Sequence, residues 1–169
     1  MDKDFIMVRA FIGLGSNLGD GLTNLQTAWQ RLGEVPGVRL LRLSSPYLTE
    51  PVGMVSSHWF TNGVGELATE LGPHELLAAM LGIEAAMGRD RAMTKDRPVD
   101  LDLLYFGDEI IRTADLIVPH PEMARRMFVM APLAELAPDS VHPLLKMTAA
   151  EICAQLSPAE KIEKTAWRS

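Results

Sequence analysis

Residues 97 to 107 read Arg-Pro-Val-Asp-Leu-Asp-Leu-Leu-Tyr-Phe-Gly, and this stretch predicts a β-strand that begins with two acidic side chains. Side chains alternate between the faces of a strand, so Asp100 and Asp102 point the same way. The opposite, apolar face consists of Val99, Leu101, Leu103 and Tyr105. Like charges about 6–7 Å apart along a strand repel unless a cation neutralises them or water screens them. The pair therefore predicts either a Mg2+ site completed by substrate phosphates or a solvated strand end.

A basic segment directly precedes this strand. Its cationic side chains are Arg89, Arg91, Lys95 and Arg97. Clustered arginines suit a polyphosphate, because each guanidinium group can bind two phosphate oxygens. The segment predicts either a phosphate site beside the acidic pair or an exposed basic loop.

Composition narrows the class of protein. The 169 residues fit a single domain, 1–169, with a core over about 8–156 and a tail, 157–169, that we expect to be mobile. A net charge of −6 disfavours binding to nucleic acid. The single cysteine, Cys153, cannot form an internal disulfide and is expected to be a buried thiol.

The sequence lacks the patterns of membrane and secreted proteins. It contains no run of about 18 apolar residues. The start, Met1 to Asp4, lacks the basic and apolar regions of a signal peptide. We therefore expect a cytoplasmic protein without a membrane partner.

Hydrophobic periodicity predicts the order of strands and helices up to residue 107. The predicted elements are a strand over Val8–Leu14, a helix from Asp20 to Gly33, strands over Val38–Ser45 and Phe60–Leu71, a helix from Pro73 to Gly88, and the strand with the acidic pair. This order is that of the ferredoxin-like βαββαβ motif, an α+β fold with one antiparallel sheet and both helices on one face. Capping boxes at Thr148 and Ser157 predict short C-terminal helices.

Glycines mark places where the backbone is expected to turn or to be approached closely. The stretch from Gly13 to Asp20 resembles a phosphate-binding loop only weakly, so we interpret it as a turn that feeds the first helix. Gly63 and Gly65 share one face of the third strand and leave room for another group. Residues 47–59 show no periodicity and predict a functional loop.

The last third of the sequence gives weaker signals. Residues 118–121, Val-Pro-His-Pro, predict a turn into a short basic helix over Glu122–Met127. Trp167 either docks the tail onto the core or lies exposed.

Taken together, the motifs resemble one enzyme family. They are Gly13 to Gly19, Ser45 to Gly53, Phe60 to Asn62, Gly88 to Arg91, Asp100 to Gly107, and Val118 to Pro121 with Arg126 and Phe128. In this order and spacing they resemble 6-hydroxymethyl-7,8-dihydropterin pyrophosphokinase over about residues 10–156. The resemblance implies transfer of a diphosphoryl group from ATP to the pterin hydroxymethyl oxygen, with release of AMP, in folate biosynthesis. It also implies the ferredoxin-like fold.

The resemblance implies a role for each matching residue. Two Mg2+ ions are expected on Asp100 and Asp102. The ATP triphosphate is expected to contact Arg89, Arg91, Arg97, His120 and Arg126, which complete the catalytic set, and an acid near the nucleotide falls on Glu84. The pterin is expected to contact Thr49, Val52, Phe60, Asn62 and Phe128, with the two aromatic rings enclosing it. Only small-molecule substrates are implied as partners, and we expect a monomer.

The sequence departs from the family pattern in two places. Residues 92–96 are shorter than the corresponding loop of many members and lack its Trp and Gly-Pro. In the family that loop closes over ATP, so the sequence does not determine how the shorter loop closes or how tightly the protein binds the nucleotide. Phe60 stands where a Tyr is often found, which keeps the stacking face and removes a hydroxyl.

Two other functions stay open at this point. A palm-type nucleotidyl transferase would use the same sheet and acidic pair, but it gives Phe60, Asn62 and Phe128 no shared role. A pterin- or nucleotide-binding module that has lost catalysis would not need the acidic pair, His120 and the arginines together.

Overall fold

The predicted βαββαβ unit is present, and two further helices cover the second face of its sheet. This computed structural model describes residues 7–50, 59–88, 98–156 and 162–168. The elements in these ranges are β1 (Val8–Ser16), α1 (Gly21–Gly33), β2 (Val38–Leu43), β3 (Tyr47–Thr49), β4 (Phe60–Thr69), α2 (Pro73–Ala86), β5 (Asp100–Phe106), β6 (Ile111–Arg112), β7 (Ile117–Val118), α3 (Met127–Leu136), α4 (Ala149–Gln155) and β8 (Ile162–Lys164). A 3-10 turn, Met123–Arg125, precedes α3.

The strands of the main sheet lie in the order β5-β1-β4-β3-β8, and β2 also pairs with β4. All these pairs are antiparallel. β2 and β3 pair with different stretches of β4, so together they occupy the place of one ferredoxin-like strand. Pro46 lies between β2 and β3 and has no N–H to donate, which fits the interruption. The predicted ferredoxin-like fold is confirmed, whereas the predicted loop over 47–59 is wrong in its first three residues, which form β3.

Each face of the sheet has its own apolar core. One core contains the buried side chains of α1 and α2, which are Leu25, Ala28, Trp29, Leu32, Leu76, Met80 and Ile83. The other contains those of α3 and α4, which are Val129, Met130, Leu133, Ala149 and Ile152. α1 begins at the predicted cap, where the Asp20 side chain accepts a hydrogen bond from Thr23 N at 3.2 Å. The Thr148 capping box is confirmed at α4, while Ser157 lies outside the described residues.

The sequence does not predict α3. Its segment is almost entirely apolar and contains Pro132, so it shows no helical periodicity. The predicted basic helix over Glu122–Met127 is wrong, because Met123–Arg125 form a 3-10 turn and α3 begins at Met127. No helix in the described part of the chain has the length and apolar character of a membrane span.

An extra residue in β5 changes the burial pattern that strict alternation predicts. The register between β1 and β5 shifts at Leu104. Leu101 and Leu103 pack with the α1 and α2 layer, whereas Leu104 and Tyr105 both pack with the α3 and α4 layer. The prediction that Tyr105 shares the face of Leu101 and Leu103 is therefore wrong.

The glycines of β1 and β4 allow close packing. Gly13 and Gly15 lie inside β1, so the prediction that a turn begins at Gly13 is wrong and the strand continues to Ser16. The predicted close approach at Gly65 is confirmed, because a β-carbon there would stand only 2.4 Å from the Trp29 ring. Trp29 can therefore pack flat against the sheet.

The C-terminal segment 162–168 docks onto the sheet. β8 pairs with β3, and Trp167 Nε1 donates to the carbonyl of Ser44 at 2.8 Å. Arg168 forms an ion pair with Asp20, with 2.7 Å between guanidinium nitrogen and carboxylate oxygen. Of the two alternatives for Trp167, the structure therefore shows docking.

Candidate active site

The predicted site residues of three strands lie on one face of the sheet. Asn62 of β4 pairs with Gly15 of β1, and Gly15 pairs on its other side with Asp100 of β5. In the next row, Gly13 pairs with Asp102. Directly paired residues point to the same face, so Gly15 lies between the Asn62 amide and Asp100, and Gly13 lies between Val64 and Asp102. The result is a shallow trough, about 10 Å from Asn62 to Asp100 by the usual strand spacing.

Gly15 keeps this trough open, whereas Gly13 is buried against the Leu104 side chain. A β-carbon on Gly15 would stand 3.0 Å from Asn62 Oδ1, and one on Gly13 would contact the Leu104 side chain at 3.5 Å. Any larger side chain at Gly15 would displace the amide or fill the trough. The sequence does not identify Gly15 as a site residue, and only the pairing of β1 with both neighbouring strands reveals it.

Thr49, Phe60 and Asn62 form the end of the trough at β3 and β4. Thr49 pairs with Phe60, and Asn62 Nδ2 makes a long contact of 3.5 Å with Thr49 Oγ1. Thr49 and Asn62 are 4 % and 7 % exposed, and Phe60 is partly exposed. Buried polar groups beside a partly exposed ring suit a flat ligand that has both an aromatic face and hydrogen-bonding edges.

Glu135 of α3 holds the strand that carries Thr49. Its carboxylate accepts hydrogen bonds from Tyr47 Oη at 2.7 Å, Ser45 N at 3.1 Å and Ser45 Oγ at 3.0 Å. Burial alone would raise the pKa of Glu135, but these hydrogen bonds outweigh it and lower the pKa. Burial and the neighbouring carboxylate raise the pKa of Tyr47. The sequence gives no signal for this long-range contact.

His120 stands beside the acidic pair at the opposite end of the trough. Its Nε2 lies 3.8 Å from Asp102 Oδ1, and the side chains of His120 and Asp102 are 21 % and 34 % exposed. Its Nδ1 accepts a hydrogen bond from Glu122 N at 3.2 Å, and its backbone N donates to Leu104 O at 3.1 Å. Since Nδ1 is an acceptor, the neutral ring carries its proton on Nε2, the nitrogen nearer Asp102.

We expect His120 to titrate below the ordinary histidine value. Burial lowers its pKa from 6.5, the charge of Arg126 lowers it further, and Asp100 and Glu122 oppose the shift. A pKa below 6.5 makes the neutral imidazole, with its proton on Nε2, the main form at pH 7. Titration followed by the His120 Cε1 proton in NMR spectra measures the pKa directly.

Removing the charge of Asp100 provides an internal check on that assignment. The pKa of His120 should fall further in Asp100→Asn, because a stabilising negative charge is lost. Asp108→Asn, a change at an exposed turn just beyond β5, should leave it unchanged. A pKa at or above 6.5 in the parent protein would contradict the assigned environment.

Arg126 and Phe128 lie at the start of α3. The Arg126 guanidinium carbon stands 5.6 Å from the centre of the Phe128 ring, a cation–π distance. Both side chains are partly buried. Arg126, which is predicted to bind phosphate, and Phe128, which is predicted to stack on the pterin, are therefore neighbours.

Glu84 lies in α2 beneath the acidic strand. Its side chain is 3 % exposed, and Oε2 accepts a hydrogen bond from Leu101 N at 2.6 Å. The family resemblance implies an acid near the nucleotide at this position, and the structure shows Glu84 hydrogen-bonded to the backbone between Asp100 and Asp102.

Four predicted site residues lie outside the described residues. They are Val52, Arg89, Arg91 and Arg97. Residues 92–96, the shortened loop, also lie there. Their assigned contacts stay predictions.

The acidic pair suits Mg2+ held together with a phosphate ligand. Among the described residues there is no group of three or more His, Cys, Asp or Glu side chains that could hold a metal ion. Mg2+ is commonly bound by one or two carboxylates, with phosphates and water completing an octahedron. Two adjacent carboxylates at one end of an open trough fit that pattern better than a closed protein cage.

Comparison with known proteins decides between the alternatives. Residues 11–138 match the family model described as 7,8-dihydro-6-hydroxymethylpterin-pyrophosphokinase (HPPK). The chain belongs to the HPPK family. This confirms the resemblance found in the sequence and does not favour the palm-type transferase or the binding module.

Two curated relatives share one enzyme name with each other. The 2-amino-4-hydroxy-6-hydroxymethyldihydropteridine pyrophosphokinase of Methylorubrum extorquens is 40 % identical over 160 residues, which cover 93 % of this chain and all of the relative. The enzyme of that name from Bacillus subtilis is 45 % identical over 128 residues, covering 75 % of this chain and 77 % of the relative. As a member of this family, the chain is an ATP-dependent pyrophosphokinase.

Solved structures support the fold. A crystal structure of Plasmodium falciparum HPPK-DHPS matches with a TM-score of 0.71 at 14 % identity. The match covers 91 % of this chain and 44 % of that longer chain. At this identity the likeness concerns the fold alone.

Proposed function

We infer that this HPPK-family protein transfers the diphosphoryl group of ATP to the hydroxymethyl oxygen of 6-hydroxymethyl-7,8-dihydropterin. The products are AMP and the pterin diphosphate, in folate biosynthesis. The observation that carries the inference is the row Asn62–Gly15–Asp100, which puts an amide suited to a pterin edge and an acid suited to Mg2+ at opposite ends of one trough. A pterin bound at Asn62 can extend its hydroxymethyl group toward Asp100 over the glycine.

The pterin subsite uses shape, stacking and hydrogen bonds. Asn62 and Thr49 offer polar atoms to the ring edge, and Phe60 and Phe128 offer aromatic faces. The backbone of Val52 is proposed to complete this subsite. Because the polar groups are buried, a ligand that lacks matching edges would leave them without hydrogen bonds.

The phosphate subsite combines carboxylates, a neutral histidine and arginines. Two Mg2+ ions on Asp100 and Asp102 would neutralise the charge on the bridging oxygens of ATP. His120 is proposed to donate from Nε2, and Arg126 to pair with phosphate oxygens. Arg89, Arg91 and Arg97 are proposed to add further positive charge.

The chemical step needs positioning more than a protein base. The pterin hydroxyl oxygen attacks the β-phosphorus of ATP, the bond from this phosphorus to the oxygen bridging it to the α-phosphorus breaks, and AMP leaves. The hydroxyl proton passes to solvent. The trough holds the attacking oxygen in line, and the cationic groups stabilise the transferring diphosphoryl group.

The setting of this reaction follows from its substrates. We propose a monomer that acts in the cytoplasm on small molecules, without nucleic-acid or membrane partners. The net charge of −6 supports the exclusion of nucleic acid.

Product analysis tests the proposed reaction. The protein is mixed with ATP, Mg2+ and 6-hydroxymethyl-7,8-dihydropterin, and the nucleotide and pterin products are separated by chromatography. We expect AMP and pterin diphosphate in equal amounts, and no products after addition of a chelator. ADP in place of AMP would contradict diphosphoryl transfer, and pterin binding without turnover would favour a non-catalytic module.

Truncating Phe128 should weaken pterin binding. We expect Phe128→Ala to cost about 1–3 kcal/mol of binding free energy, taking stacking of nucleic-acid bases on aromatic side chains as the guide. Calorimetric titration with the pterin measures this loss, and Phe128→Tyr, which keeps the ring, should retain most of the affinity. Equal affinity in Phe128→Ala and the parent would remove Phe128 from the subsite.

A further inference from the structure

β5 is an edge strand of the main sheet among the described residues. Only β1 pairs with it there, so one row of its backbone groups points away from the sheet. Leu101 belongs to that row, because its N–H donates to Glu84 of α2 and not to β1. A buried backbone N–H that points away from the sheet needs a hydrogen-bond acceptor outside the sheet.

Glu84 provides that partner, but burying its carboxylate costs free energy that an apolar side chain in the same place would not cost. The side chain is 3 % exposed and follows Ile83, a buried core residue of α2. Burying a carboxylate is unfavourable unless hydrogen bonds or charges compensate, and an apolar residue would fill the same space without that cost. The Oε2–N distance of 2.6 Å is at the short end of the range, as expected for a charge-assisted bond.

We propose that Glu84 is a positioning residue for the acidic pair, acting through the backbone of Leu101. Leu101 lies between Asp100 and Asp102, so fixing its N–H fixes the peptide units from which both acids project. In this role Glu84 contacts the protein backbone, whereas the family resemblance implies an acid near the nucleotide. The inference rests on the proposed function only where it concerns the metal.

The hydrogen bond itself is testable in metal-free protein. Glu84→Met keeps the approximate volume and removes the acceptor. In 1H–15N spectra we expect the Leu101 amide proton to move upfield and to exchange with solvent at least about tenfold faster, because its partner is lost. An unchanged Leu101 amide in a folded Glu84→Met protein would overturn the proposal.

Glu84→Gln separates the charge from the acceptor. Its amide oxygen can still accept the Leu101 N–H, but without the negative charge. We expect an intermediate amide shift and intermediate exchange. If Glu84→Met does not fold, Glu84→Gln provides the test of the bond. A Leu101 amide with the shift and exchange rate of the parent would then contradict a charge-assisted bond.

Metal affinity tests the consequence for the site. Mn2+ binding is measured by electron paramagnetic resonance, with and without a non-hydrolysable ATP analogue. Loss of a group that orients a metal ligand typically costs 10- to 100-fold in affinity, so we expect at least about a tenfold loss in Glu84→Met and a smaller loss in Glu84→Gln. Pterin affinity, set at the other end of the trough, should not change.

Glu66 offers a matched control. It is also a buried carboxylate at 3 % exposure, but it pairs with Arg42 on the sheet. Glu66→Gln should lower stability without altering the Leu101 amide or Mn2+ affinity. Equal effects of Glu66→Gln and Glu84→Met on Mn2+ binding would reduce Glu84 to a structural residue and overturn the proposal.

Mn2+ binding by the parent protein separates the metal role of Asp100 and Asp102 from the positioning role of Glu84. If the parent protein binds no Mn2+ even with the ATP analogue, the proposed metal role of Asp100 and Asp102 fails. If the parent binds Mn2+ but Glu84→Met binds it equally well, the positioning role fails alone.

Discussion

Asp100→Asn and Asp102→Asn should each lower kcat by a factor of about 10³ or more while the protein stays folded. Charge stabilisation by a bound cation contributes several kcal/mol at the transition state, and each 1.36 kcal/mol is a factor of ten in rate. Both side chains are partly exposed at one end of the trough, so neither is needed to fill the core. Turnover with saturating ATP, Mg2+ and pterin measures the loss.

Asp108→Asn is the matched control for this loss. It makes the same chemical change at an exposed turn just beyond β5 and should leave kcat unchanged. Circular dichroism and urea unfolding check that the two site variants retain the parent fold. Parent-like kcat in either site variant would contradict the metal assignment of that residue.

The acidic pair could be predicted because it depends only on local alternation. Asp100 and Asp102 precede the irregularity at Leu104, so the period of two still holds for them. Tyr105 lies beyond the extra residue, and there the same rule fails. A bulge of this kind leaves no clear sign in an apolar sequence, because both faces of β5 are buried.

α1 could be predicted because it has one apolar face, and α2 because Leu76, Met80 and Ile83 recur at helical spacing after a clear start. Asp20 caps α1 as the sequence indicates, and Pro73 begins α2. α3 could not be predicted in this way, since a segment that is apolar on nearly all sides has no periodicity. The second face of the sheet therefore emerges only from the structure.

The contacts that complete the site join residues far apart in the chain. Glu135 reaches Tyr47 from α3, and Glu84 reaches Leu101 from α2. Neither bond has a local sequence signature, because each depends on how a helix packs against a strand. The resemblance to a family predicts the substrate- and metal-binding groups, while the groups that support them follow from tertiary packing.

Trp167→Ala should markedly lower the free energy of unfolding, although Trp167 lies outside the trough. Trp167 packs with the α1 and α2 core, lies 3.6 Å from the position of a β-carbon on Gly63, and donates to Ser44 O. Truncating a buried Trp costs about 3–5 kcal/mol, and we expect about 2–4 kcal/mol here because the ring is only partly buried. Urea unfolding measures the change.

The same substitution should also affect the pterin subsite. β8 pairs with β3, and Thr165 N donates to Pro46 O at 2.9 Å, so the C-terminal segment borders the strand that carries Thr49. Loosening that segment should raise KM for the pterin several-fold. KM for ATP should stay near the parent value, because the described phosphate-site groups lie on β5, at His120 after β7 and at the start of α3.

Arg168→Ala distinguishes docking of the Trp167 ring from a general effect of altering the tail. Arg168 lies in the same segment, but its ion pair with Asp20 is exposed and should contribute little to stability. Parent-like stability of Arg168→Ala beside a destabilised Trp167→Ala would assign the effect to the indole. If Trp167→Ala instead unfolds at the parent urea concentration and keeps the parent KM, the segment neither supports the core nor positions β3.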